Sequence, residues 1–495
     1  MHAPSRPSRT QSFTVVLLIE LWERFGYYGM SALLLLFMVQ RLGFRDSTAN
    51  LLWGAFAALT YASPAIGGWI GDQVIGSRRC MVIGAAILAL GYLFMSLPSG
   101  GAVLLYVAMG TIAIGNGMFK PNAANMVRRI YEGDDARLDG AFTIYYMAVN
   151  VGSTVSILLC PWLKDQYGWH VAFAISFLGL VIGLANFTIL RARVAHVGSR
   201  PDFAPMHVPR LMLVLGGIVL AIIAVDVILQ HPVLARDCVW LAALVVLGAW
   251  VVTFRRSTRF ERPGLLAMYL LTLQVMLFFI FYQQMSTSLT LFALRNVDLA
   301  FGVGGFTLFH WSPAQFSALD PIWIMVASPP LAWLYNRLGA SGRDLPIAGK
   351  YVVGFALVAA GFLIWWLSCR WSATPLVSPW IMVWGYLLLS LAELLISGLG
   401  LAVVARYVPA RMSAFMMGAY FLSVGVAMYI GSWVANYAAL PDVGGQPDPA
   451  QTLPLYGSLF FRLFLLGCGG TVASLVLLPI IRRLDAAHQR GEAGA

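Results

Sequence analysis

The sequence predicts an all-α polytopic membrane protein, two six-helix bundles plus an inserted two-helix hairpin, with 14 transmembrane helices in all. Three observations predict it. Only 11% of the 495 residues are charged and 60% are hydrophobic, against about 25% charged in a typical soluble domain. The chain divides into stretches of the roughly 20 mostly apolar residues that a helix needs to cross a bilayer. Threading those stretches back and forth sorts the basic residues almost entirely to one side.

The first six spans run at 14–40, 48–71, 79–98, 101–127, 138–162 and 168–190. Two more, 209–230 and 235–254, form a hairpin around His231-Pro232, placed outside the core of the two bundles. The last six run at 264–294, 312–336, 349–369, 378–405, 412–438 and 456–481. The chain therefore reads as an N-terminal tail (1–13), a first bundle (14–190), a linker with the hairpin (191–262), a second bundle (263–482) and a C-terminal tail (483–495).

With both ends inside, 23 of the 32 lysines and arginines fall on the inner face, Arg6 and Arg343 among them, and 6 on the outer face. The other three, Arg24, Lys120 and Arg462, lie within spans. A bias of this kind is the positive-inside pattern, and an error of one span would scramble it. The net charge of +11 thus reflects topology and not a nucleic-acid footprint. The basic start MHAPSRPSRT runs into an apolar stretch too long and too charged for a cleavable leader. The five cysteines match no metal or redox spacing and read as small buried hydrophobes. No His/Asp metal cluster, Ser/His pair or nucleotide loop is visible, and the loops are too short for a soluble domain, which argues against an enzyme or receptor.

Ionisable residues inside spans are costly and mark function. In the first span Glu20, Glu23 and Arg24 share one helix face, extended by Tyr27 and Tyr28. Two carboxylates around a guanidinium form a site able to hold and release a proton, or a buried ion cluster that only locks helices together. Lys120 in the fourth span lies about 12 Å from the inner end of its helix, a depth comparable to that cluster, unless it snorkels to the surface. Pro121 beside it is expected to kink or break the helix. Glu393 lies about 20 Å deep, near the midplane. Asp320, before Pro321, either adds to that acidic charge or caps its helix at the outer interface. Asp226 in the hairpin reads as facing the water interface near the turn. Basic charge in the first bundle and acidic charge in the second suit a zwitterion with separated ends, such as an amino acid or short peptide.

These residues resemble a known family, the proton-dependent oligopeptide transporters of the major facilitator superfamily. The run from Glu20 to Arg24, continued by Phe25, Tyr27, Tyr28 and Gly29, is similar to its ExxER signature. Gly67 through Arg79 resembles the superfamily loop motif between spans two and three. The segments Gly115–Asn122 and Phe142–Ser153 resemble the family signatures of spans four and five. Tyr282-Gln283-Gln284 through Ala293, and Glu393 with Ser397, resemble spans seven and ten.

The resemblance implies a major facilitator fold in a bacterial inner membrane. It implies import of di- and tripeptides by proton symport through alternating access, with the proton as coupling ion, no other cofactor and a monomer as the working unit. It assigns Glu20, Glu23 and Arg24 to proton coupling, with Lys120 beside them. It places Arg24, Lys120 and Asn150 near the peptide carboxylate, Glu393 near the amino terminus, and Tyr28, Tyr61, Tyr282, Gln283, Gln284, Ser397 and Tyr420 along the pocket. Asp72, Arg78 and Arg79 match the cytoplasmic gate motif. Three positions depart from the pattern. Gln283 and Gln284 stand where many members carry an acid, Asp320 where many carry Asn, and Tyr420 where many carry Trp. The first is shared with some bacterial dipeptide permeases, and Asp320 is expected to substitute partly for the missing acid. Relatives of the same fold also move nitrate, carboxylates or drugs, and Glu393 is what separates a peptide carrier from a simple anion carrier.

Overall fold

A computed structural model describes residues 7–98, 101–341, 345–440 and 447–493. Arg6 and Arg343, counted above on the inner face, lie outside the described residues, as do the outermost residues of both tails.

The helices of the first half are α1 (Arg9–Leu36), α2 (Asp46–Trp69), α3 (Ser77–Ser96), α4 (Ala102–Ile130), α5 (Asp135–Tyr167) and α6 (Trp169–Leu190). Wider π turns, Phe37–Arg41 and Ile70–Ile75, carry on α1 and α2. The hairpin is α7 (Val208–Gln230) and α8 (Pro232–Arg256). The second half has α9 (Arg262–Tyr282), resumed at Ser288–Asn296, then α10 (Leu319–Ala340) and α11 (Ile347–Trp371). It ends with α12 (Trp380–Ile396), resumed at Gly400–Tyr407, then α13 (Ala410–Ala435) and α14 (Pro449–Ala493). Among the described residues, 11 helical segments are long and apolar enough to cross a membrane by composition alone. The segment containing α1 is not one of them, and it carries Glu20, Glu23 and Arg24 within a helix otherwise suited to span.

Contacts divide the chain into two compact units. One comprises the chain up to Phe37 together with Leu59–Pro232, the other Met38–Ala58 together with Val233 onward. In the first unit close helix approach rests on small residues, as expected where lipid supplies no hydrophobic drive between helices. Gly67 of α2 lies so close to α4 that a Cβ would stand 2.0 Å from the Gly117 carbonyl oxygen. Asn122 of α4 then donates to the Gly67 carbonyl at 2.9 Å. Pro121 does not break α4, which runs on to Ile130. Its missing N–H falls at the turn of Gly117, where α2 presses against the backbone.

The hairpin is less detached than expected. Val214 and Ile218 of α7 pack into a cluster with Ile75, Cys80 and Met118 of the first unit. In the second unit, Trp250 of α8 stacks on Tyr269 of α9 with centroids 4.7 Å apart, and the Tyr269 hydroxyl donates to the Trp250 carbonyl. Asp226 accepts from Gln230 one turn on.

Two features depart from the expected architecture. Ala300–Val303 and Phe306–His310 pair as an antiparallel β-hairpin. Its turn, Gly304-Gly305, has φ of 60° and 89° at the two glycines, a backbone that glycine adopts without strain. Phe301 anchors it against Phe309, Trp311, Phe316 and Trp380. At the termini, α1 begins at Arg9 because Ser8 and Gln11 form a capping box, and α14 continues through the expected tail to Ala493.

Candidate functional site

In the first unit the helical spacing of α1 brings its charges together. The Arg24 guanidinium donates to the Glu23 carboxylate and lies 3.3 Å from Glu20 Oε1. All three side chains are at most 3% exposed. Glu20 Oε2 and Glu23 Oε1 are buried without a hydrogen-bond donor among the described residues. The Tyr145 hydroxyl of α5 reaches Glu20. Arg24 also stands over the Tyr27 ring at 5.4 Å, and Tyr27 packs edge-on against Tyr28. Lys120 is exposed, holds its Nζ 5.8 Å from the Tyr61 ring centre, and feels the charges of Arg24, Glu20 and Glu23. The Asn150 amide turns instead to its own helix and donates to the Tyr146 carbonyl at 2.8 Å.

The second unit holds the acidic counterpart. Asp320 at the start of α10 is buried and accepts from Ser390 of α12 at 2.7 Å. Its carboxyl is in hydrogen-bond contact with Glu393, one turn further along α12. Asp320 is therefore joined to Glu393 and is not a solvent-facing cap. Glu393 precedes a break, since α12 ends at Ile396 and Ser397 begins a tighter turn. The Tyr420 hydroxyl of α13 packs where a Cβ on Gly400 would be, just beyond that break.

Gln283 and Gln284 are fully buried in the interruption between α9 and Ser288–Asn296. Gln283 donates to Ser432, and Gln284 donates to the Ile280 and Gly431 carbonyls and accepts from Ser288. Their amides close a helix discontinuity, with Gln283 Oε1 left buried without a partner among the described residues. Tyr282 of that triplet is partly exposed.

The gate motif separates into two tasks. Asp72 accepts from Asn125 at 2.7 Å and pairs with Arg129 of α4. Arg78 and Arg79 instead hold the linker, donating to the carbonyls of Ala195 and Val194 and of Pro201 and Ala204. Asp202, buried in that linker, accepts the backbone N–H groups of Arg78 and Arg79 at the start of α3, as a carboxylate should at a helix N-terminus. Sequence reasoning missed Asp202, Tyr145, Asn125 and Ser390. It also missed Arg295, whose guanidinium forms two bonds of 2.6 and 2.7 Å to the buried Asp46. Only its distant partner gives each of them meaning. Among the described residues no three His, Cys, Asp or Glu side chains converge as a metal site.

Residues 78–448 match the POT family. The chain belongs to that family. Among curated relatives, dipeptide and tripeptide permease A of Cronobacter turicensis is 40% identical over 481 residues, covering 96% of this chain and 93% of the relative. Dipeptide and tripeptide permease B of Salmonella typhimurium is 39% identical over 479 residues, with 95% of each covered. Among solved structures, tetrameric PepTSo2 superposes with a TM-score of 0.87 at 48% identity, over 96% of this chain and 99% of that one. A peptide transporter POT in complex with sulfate has a TM-score of 0.81 at 27% identity, over 96% and 95%. The family resemblance read from the ExxER run and the loop motif holds along nearly the whole chain. As a POT-family member the protein is a multi-pass membrane transporter of the major facilitator fold and not an enzyme.

Proposed function

We propose that this chain imports di- and tripeptides by proton symport through alternating access, with its arginine-rich face and both termini in the cytoplasm of a bacterial cell. The observation that carries it is the buried guanidinium of Arg24 held between two carboxylates, Glu20 and Glu23. A permanent cation at that depth needs an anion. Either the glutamates supply it or a ligand carboxylate does. Protonation of Glu20 or Glu23 withdraws one partner and frees Arg24 and Lys120 for the peptide carboxylate. The Asp320–Glu393 pair takes the peptide ammonium, Tyr28, Tyr61, Tyr282, Ser397 and Tyr420 shape the pocket, and Asp320 supplies the second titrating acid that Gln283 and Gln284 cannot.

Coupling then follows from exclusive occupancy, because proton and peptide each favour the state in which the other is bound. The proton is the only coupling ion, and each chain carries a complete set of these groups, so a monomer suffices. The test is uptake of a labelled dipeptide into proteoliposomes with and without an inward proton gradient, for wild type and Glu23→Gln. Gradient-driven accumulation should be lost in the variant while counterflow survives. Absence of peptide uptake in wild type under both conditions would reassign the fold to another small substrate.

A further inference from the structure

At the arginine-rich end of the first unit, two cavities lie side by side and share Arg79 and Met206. The larger, about 630 Å³, is walled by Ile83 of α3, Phe187 of α6 and Leu211 and Leu215 of α7, with Arg78 and Arg191 also lining it. The smaller, about 250 Å³, holds Arg79, Arg200 and Arg210 with His207. Neither lining contains an acidic side chain. Among the described residues the side-chain bonds of Arg78 and Arg79 run to backbone carbonyls, which fix the guanidinium groups without neutralising them. The nearby Asp202 is buried and accepts backbone N–H groups.

We infer that this double cavity binds an anionic phospholipid, its phosphate among Arg79, Arg200 and Arg210 and an acyl chain along the apolar groove between α3, α6 and α7. The chemistry is two-part. A dissolved anion gains nothing from a wall of Ile83, Phe187, Leu211 and Leu215, and a zwitterionic lipid, whose ammonium offsets its phosphate, gains less from arginines than an anionic one. Only a molecule with both ends uses both cavities, which is the general form of basic pockets between spans. The site lies where such a molecule is available, since the neighbouring Met212 and Leu213 are 63 and 76% exposed on a membrane-spanning helix. It is separate from the Glu20–Glu23–Arg24 cluster and does not depend on which substrate is carried. A lipid seated there ties Arg200 of the linker and Arg210 of α7 to the start of α3, where Arg78 and Arg79 also hold the linker.

The test is native mass spectrometry of the purified full chain, titrated separately with dioleoylphosphatidylglycerol and dioleoylphosphatidylethanolamine. The acidic lipid should be retained in preference. In Arg200→Gln/Arg210→Gln, whose side chains are exposed, its affinity should fall about 25-fold, taking about fivefold per arginine. Ala192→Trp, which fills the groove and leaves every arginine in place, should weaken it as well. Equal retention of the two lipids would overturn the proposal. So would unchanged binding in both variants, or an equal loss in Arg255→Gln/Arg256→Gln, which removes the same charge elsewhere. Displacement of the lipid by glycerol 3-phosphate at equal concentration would make the basic cavity a soluble phosphate site instead.

Discussion

Replacing Arg295 with methionine strands Asp46. In the second unit the Arg295 guanidinium meets both Asp46 oxygens, at 2.6 and 2.7 Å, and donates to the Tyr456 hydroxyl at 3.1 Å. Both side chains are less than a tenth exposed. Removing one partner of a buried pair leaves an uncompensated charge and costs about 3–5 kcal/mol. That shifts the folded-to-unfolded ratio by roughly two to three and a half powers of ten. Replacing both partners with apolar residues removes the stranded charge, so Asp46→Leu/Arg295→Met should lie within about 1–2 kcal/mol of wild type. The residual loss includes the Leu440 N–H, which donates to Asp46 at 3.4 Å. The assay is equilibrium unfolding in mixed micelles by rising SDS fraction, followed by tryptophan fluorescence, for all four members of the cycle. A coupling of at least about 4 kcal/mol is expected, the sum of the two single losses less that of the double variant. A double variant destabilised by the sum of the two singles would refute the reasoning, because the pair would then carry no energy of its own.

Three further outcomes are expected. Gly67→Ala should abolish folded protein, judged by size-exclusion of a fluorescent fusion, because its Cβ would meet Gly117 backbone at 2.0 Å; Gly68→Ala, whose nearest neighbour is Pro121 at 3.4 Å, should be tolerated. Ser390→Ala leaves the buried Asp320 without its 2.7 Å donor and should cost about 1–3 kcal/mol in the same unfolding assay. Ser368→Ala, which loses only a bond to its own helix at Trp365, should change stability far less. At the start of α9, the hydrogen bond from Arg411 holds the Glu261 carboxyl below its usual value. A depressed pKa contributes stability above the unfolded value and loses it as pH falls through the folded one. The stability difference between wild type and Arg411→Gln should therefore be present at neutral pH and vanish below the ordinary glutamate range.

Much of the fold was legible because the bilayer imposes one-dimensional rules. Apolar length marks each span locally, and the sides taken by arginine check the count of spans as a whole. The α1 cluster was legible for the same reason, since Glu20, Glu23 and Arg24 meet through helical spacing alone. Where the sequence reading ran out, a distant partner decided. Gln283 and Gln284 read as pocket residues by position, and only the fold brings their amides to Ser432 and the Gly431 carbonyl. Asp320 reads as a cap until Ser390 and Glu393 are beside it. The β-hairpin rests on Phe301 and a cluster of aromatic rings gathered from three segments.

The sequence by itself determined that this chain crosses a membrane many times and that charges lie within its spans. Those properties follow from transfer free energy and helical period, both local along the chain. Tertiary structure alone decided which of those charges pair, which amides are consumed by packing, and where arginines gather over an apolar groove. Each of these depends on contacts between residues tens to hundreds of positions apart, and no local pattern encodes them.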